Sequence, residues 1–191
     1  MSKALNNLMH FTFVMTLLHK ALELIDRVWP ARIAHAHCDI PCGIYDPHYA
    51  QLAAHTVIRM VALINDATQK VQELGDNVTV QDRRDFIHKL ARYALVKEEH
   101  AEICKKEVRI LWGDYFKPEH VQAFPELHEL VWKAMKLASK ARQEINMEAA
   151  EELLATVEKI AEIFWKTKNV ETVKTKSFYP TEREIVYPKI K

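Results

Sequence analysis

Hydrophobic positions recur along this chain with a helical period. Val57, Met60, Val61, Ile64 and Val71 fall on one stripe of an amphipathic helix that begins after Pro47 and runs to about Leu74, where Gly75-Asp76-Asn77 ends it. Phe86, Leu90, Ala94, Ala101, Cys104, Val108 and Leu111 trace a second stripe, with Lys97, Glu98, Lys105 and Lys106 between them, that stops near Gly113. Pro118 and Pro125 bracket a loop. Leu127, Leu130, Val131, Ala134, Leu137 and Ala141 mark a third helix, and Ala150, Leu153, Leu154, Val157, Ala161 and Phe164 a fourth. Four amphipathic helices joined by short loops, with no convincing alternating strand among them, predict an all-α fold: an antiparallel four-helix bundle over residues 48–169.

Both ends differ from that pattern. Residues 170–191 turn to β-branched and aromatic side chains with two Tyr-Pro pairs, Tyr179-Pro180 and Tyr187-Pro188. Proline holds the residue before it extended, so an extended C-terminal arm is expected, lying on the bundle or a neighbouring subunit or left loosely ordered. At the other end the apolar run beginning at Leu8 is too short to span a bilayer, which takes about 20 apolar residues. Ala34-His35-Ala36, directly before His37, has the small-residue form of a processing site. An export signal would place such a site soon after its apolar segment, whereas here Lys20, Glu23, Asp26, Arg27 and Arg32 intervene. Residues 1–36 therefore read as a removable leader of a cytoplasmic protein, cut by a processing protease.

Length and composition narrow the function. The 191 residues suit one compact domain with appendages. With 27 Lys and Arg against 26 Asp and Glu, nothing favours a nucleic-acid partner. Only 3 glycines occur, where average usage of about 7% would give roughly 13, and none forms a phosphate-cradling loop. The 3 cysteines are too few for a disulfide framework. Cys104 takes an inward helical position and reads as a core thiol. His48, His55, His88, His120 and His128 have no paired spacing and read as surface or core residues, and Trp112, Trp132 and Trp165 as core or subunit-contact residues.

Chemistry concentrates in residues 37–47, His37-Cys38-Asp39-Ile40-Pro41-Cys42-Gly43-Ile44-Tyr45-Asp46-Pro47. Cutting after Ala36 would free the α-amine of His37. The donors then within six residues are that amine, the His37 imidazole, the Cys38 amide nitrogen if deprotonated, and the Cys38 and Cys42 thiolates. The amine and the next amide nitrogen close a five-membered chelate ring, as do the Cys38 amide and its own sulfur. Such rings enforce a plane, which suits Ni(II) or Cu(II) and not the tetrahedral preference of zinc. Thiolates and an anionic amide also stabilise a higher oxidation state, and an axial imidazole lets the metal move between four- and five-coordinate geometry.

These eleven residues resemble the nickel hook of the nickel superoxide dismutases, HCDxPCGxYDP, at every fixed position. Leu111-Trp112-Gly113-Asp114-Tyr115-Phe116-Lys117-Pro118, Pro125-Glu126-Leu127-His128 and Ile163-Phe164-Trp165-Lys166-Thr167-Lys168 resemble later blocks of that family in the same order. The resemblance implies dismutation of superoxide to O₂ and H₂O₂ by Ni(II)/Ni(III) cycling, in a homohexamer with one hook per subunit. It makes His37, Cys38 and Cys42 the metal ligands, places Asp39 and Tyr45 near the metal's open face, and sets Tyr115 and Lys117 at substrate access. A cis Ile40-Pro41 bond is expected in the hook. The family orients its axial imidazole with a glutamate and an arginine; gap-free counting puts Ala53 and His100 there, leaving His100 or Glu99 as substitutes. Two other readings use the same cysteines: an uncut protein that stores nickel or another soft metal, and a dithiol redox switch.

Overall fold

The computed structural model describes residues 15–25 and 43–189. The chain divides into two compact units, residues 1–39 and 40–191. The described part of the first is helix α1, residues 15–25, where His19 and Glu23 pair one turn apart at 3.4 Å.

The second unit contains α2 (His48–Leu74), α3 (Val80–Ile110), α4 (Pro118–Ala123), α5 (Leu127–Gln143), α6 (Met147–Thr167), β1 (Thr172–Lys176) and β2 (Glu184–Pro188). Helices α2, α3, α5 and α6 are the four expected from the apolar stripes. Each packs on two others, α2 on α3 and α6 and α5 on α3 and α6, which closes a ring around one core. Val57, Val61, Val108, Leu127, Leu153, Val157 and Phe164 fill that core and are essentially inaccessible to solvent. Fully buried Ala50, Ala54, Ala101, Ala138, Ala141 and Ala150 let the helix backbones approach closely.

Local chemistry sets the helix ends. Thr79 caps α3 by accepting the Asp82 N–H at 3.1 Å while the Asp82 carboxylate accepts the Thr79 N–H at 3.0 Å. The Thr79 hydroxyl, which also donates to that carboxylate at 2.6 Å, and then the Thr79 N–H hold the Asp82 carboxyl below its ordinary pKa. Asn146 caps α6 by accepting from the Ala149 N–H at 2.9 Å. Gly75, at φ 51°, ends α2 in a conformation that side chains disfavour. Helices α2 and α3 are 27 and 31 residues long, against 17 and 21 for α5 and α6. Among the described residues of this unit their far ends pack on each other: the buried positions of α2 stop at Ile64 and those of α3 begin at Lys97.

Three features depart from the hydrophobic pattern. The segment between Pro118 and Pro125 is not a plain loop but carries α4, which starts at a proline whose fixed φ suits the first helical position. Lys97, grouped with the outward charges, is buried; its Nζ donates to the carbonyls of Ala141, Arg142 and Glu144 at 2.6, 2.7 and 2.9 Å. It thereby satisfies the end of α5. The C-terminal arm is an antiparallel two-stranded hairpin, with Val173 opposite Tyr187 and Thr175 opposite Ile185. It lies on α2 and α6, and both Ile185 and Val186 are buried.

Candidate metal centre

Of the residues singled out for the hook, His37, Cys38, Asp39 and Cys42 lie outside the described residues, as does the Ile40-Pro41 bond. The run is described from Gly43 onward. Gly43 has φ +91°, a backbone conformation that any L side chain would strain, which accounts for glycine immediately after Cys42. Three residues later the Asp46 carboxylate accepts the His48 N–H at 2.7 Å, and α2 begins. Asp46-Pro47 thus anchors the C-terminal end of the run to the first turn of a bundle helix.

Tyr45 meets the bundle through Tyr115, the ring centroids lying 5.5 Å apart at 53°. Two residues assigned from segments seventy positions apart in sequence are therefore neighbours. Tyr115 is delivered by residues Leu111–Tyr115, where α3 widens into a π-turn closed by the Phe116 N–H donating to the Leu111 carbonyl at 2.9 Å. Single π-turns of this kind re-aim side chains at the end of a helix. The Thr167 hydroxyl donates to the Phe164 carbonyl at 2.7 Å, so in its 2.6 Å contact with Tyr115 it accepts and the phenol donates. The Tyr115 ring is further fixed by Phe164 at 4.5 Å and by a stacked His120 at 5.6 Å.

His120 was legible only as an unpaired histidine, yet it belongs to this cluster. Its Nδ1 accepts the Lys117 N–H at 3.2 Å, which ties the start of α4 to the Tyr115 ring. Lys117 itself is exposed beside the cluster. Sequence reading missed a second cation, Lys168, whose Nζ lies 4.7 Å from the Phe164 ring centroid and 5.4 Å from that of Tyr115. The signal was its place in the Ile163–Lys168 block, but nothing local in that block shows that α6 ends beside Tyr115.

The other titratable groups separate cleanly. Cys104 is fully buried, and burial pushes its thiol up to about 12, so no thiolate forms there at neutral pH. Among the described residues no group of three or more His, Cys, Asp or Glu side chains could hold a metal ion. The nitrogen and sulfur donors of His37, Cys38 and Cys42 fit nickel chemically. Ala53 and His100 line one cavity, so the two positions counted from the hook and from the Asp114-Tyr115-Phe116-Lys117 block are spatial neighbours. Glu99 is exposed and does not line it; the guanidinium in that cavity comes from Arg59.

A helical bundle with an aromatic cluster at the foot of a His/Cys segment defines the class as a helical-bundle metalloenzyme. The family model of the nickel-containing superoxide dismutases matches residues 32–168. The nickel superoxide dismutase of Streptomyces seoulensis is 34% identical over 146 residues, covering 76% of this chain and 98% of that protein. That of Streptomyces coelicolor is 35% identical over 147 residues with the same coverage. A native nickel superoxide dismutase crystal structure superposes with a TM-score of 0.54 at 34% identity, covering 70% of this chain and 99% of the other. The chain belongs to the nickel-containing superoxide dismutase family, oxidoreductases with nickel as cofactor. The C-terminal hairpin lies beyond the matched residues.

Proposed function

We propose that this chain is made as a precursor, cut between Ala36 and His37, and then dismutates superoxide through the ligand set of His37 (amine and imidazole), Cys38 (amide nitrogen and thiolate) and Cys42 (thiolate). The observation that carries the reading is the packing of Tyr45, from the hook run, on Tyr115, from the end of α3. Nickel bound by those donors supplies a one-electron cycle between Ni(II) and Ni(III), by which two superoxide ions and two protons become O₂ and H₂O₂. The chain's own groups supply the rest. Tyr115 spends its hydroxyl proton on Thr167, so its oxygen offers lone pairs toward the substrate side and orients a protonated oxygen species without supplying the proton. Lys117 and Lys168 put positive charge beside the aromatic cluster and attract an anionic substrate. Asp39, by its place in the hook run, would help to orient the ligands around a bound nickel. Assembly is a homohexamer, and activation takes place in the cytoplasm.

N-terminal sequencing of protein from its native host, combined with metal analysis and a dismutase assay, tests this. The expected result is an N-terminus at His37, about one nickel per chain, and loss of dismutation in Cys42→Ser. A retained leader on nickel-loaded, inactive protein would instead mean storage. Reversible Cys38–Cys42 oxidation without metal would mean a dithiol switch.

A further inference from the structure

The end of α3 that projects past α5 carries an exposed ridge whose residues are spaced symmetrically about Ala91. Four positions to either side stand Ile87 and Leu95, 63% and 69% exposed, and seven positions to either side stand Arg84 and Glu98. Steps of three and four residues keep all five on one side of the helix. Farther along, α5 covers that side of α3: the Lys105 ammonium donates to the Ser139 hydroxyl at 3.0 Å, and α5 ends at Gln143, which shares a polar cleft with Glu98. Beyond that point Arg84, Ile87, Ala91 and Leu95 are all exposed. Arg84 and Glu98 have no ion pair or side-chain hydrogen bond among the described residues. Ala91 lies about 30 Å along the helix from Leu111, where the π-turn that delivers Tyr115 begins, so the ridge is separate from the metal centre.

We propose that this ridge is the contact for a second copy of the chain, whose α3 lies antiparallel across it with the two-fold axis at Ala91. Reversal about Ala91 brings Ile87 against the partner's Leu95 and Arg84 against the partner's Glu98. The two-fold axis repeats both contacts, so five positions give two apolar pairs and two ion pairs. That is the self-complementarity an isologous contact requires. Alanine at the axis lets the two helix backbones approach closely. A parallel arrangement would set Arg84 against the partner's Arg84 and Glu98 against the partner's Glu98, and like charges disfavour it. The strip is one helix wide and about 20 Å long, at the small end of specific interfaces. The pairing stands without the hook chemistry; the homohexamer proposed above would use it as one of its two-fold contacts.

Sedimentation equilibrium of the full chain is the test. The intact chain is expected to self-associate with a midpoint below about 100 μM. Arg84→Glu and Glu98→Arg each place two like-charge pairs in the contact and should raise that midpoint at least about tenfold. The double variant restores opposite charges and should return to within about threefold of the intact chain. All these positions are exposed, and circular dichroism checks that each variant is folded. A monomer up to that concentration, as when another segment of the chain covers the ridge, would overturn the proposal, as would a double variant that does not recover. An assembly indifferent to both single substitutions would refute this contact while leaving the homohexamer and the hook chemistry standing.

Discussion

His55 shows what a single buried residue does here. Its Nε2–H donates to the Glu184 carbonyl at 3.1 Å, which leaves Nδ1 to accept from the Thr181 hydroxyl at 2.8 Å. Both bonds hold the hairpin, and both suit the neutral ring. Burial pushes its pKa below the ordinary 6.5; the Glu184 carbonyl pulls it partly back, and Arg183 and His48 add a smaller push downward. The unfolded chain therefore takes up a proton at a higher pH than the folded chain, and stability is lost as pH falls below about 6.5. Thermal unfolding of the full chain is expected to show a melting temperature that drops more steeply between about pH 6.5 and pH 5 than in His55→Gln. Parallel pH profiles in the two proteins would remove His55 from this role. Nothing in the spacing of the histidines distinguished His55 from His88, because its partners lie more than a hundred residues away.

At the scale of the element, the amphipathic stripes located α2, α3, α5 and α6 because helical period is a local property of the chain. They misplaced Lys97 for the same reason. Lys97 and Lys106 read alike in sequence, but Lys97 ends under the last carbonyls of α5, where its ammonium completes three hydrogen bonds and lies against the negative end of that helix. Burial lowers its pKa, with Glu98 opposing. Lys97→Met should cost on the order of 2 kcal/mol in urea unfolding, since three carbonyls lose their donor together. Lys106→Met, at an exposed position, should stay within about 0.5 kcal/mol. Equal effects from the two substitutions would show that the lysine contacts contribute no specific stability.

The whole molecule joins a bundle to an arm that the family match does not reach. Gln51, fully buried in α2, binds Val186 in both directions: its amide donates to the Val186 carbonyl at 3.1 Å, and its oxygen accepts the Val186 N–H at 2.8 Å. Lys174 adds a 2.7 Å ion pair with Glu158 of α6, which raises the Lys174 pKa, while burial pushes the Glu158 carboxyl up against the pull of that lysine. Removing residues 170–191 should uncover these groups and lower the melting temperature while leaving far-UV helicity nearly intact, because the four-helix core does not include the arm. A large loss of helical signal would make the arm integral to the bundle. The sequence by itself determined the number of bundle helices and the family, since periodicity and short motifs are written in neighbouring residues. Tertiary structure alone decided that Tyr45 meets Tyr115, that Lys97 is a cap, and that Gln51 and His55 bind a hairpin from the far end of the chain. Those outcomes depend on which distant surfaces a closed ring of helices brings within hydrogen-bonding distance, and no local pattern encodes that.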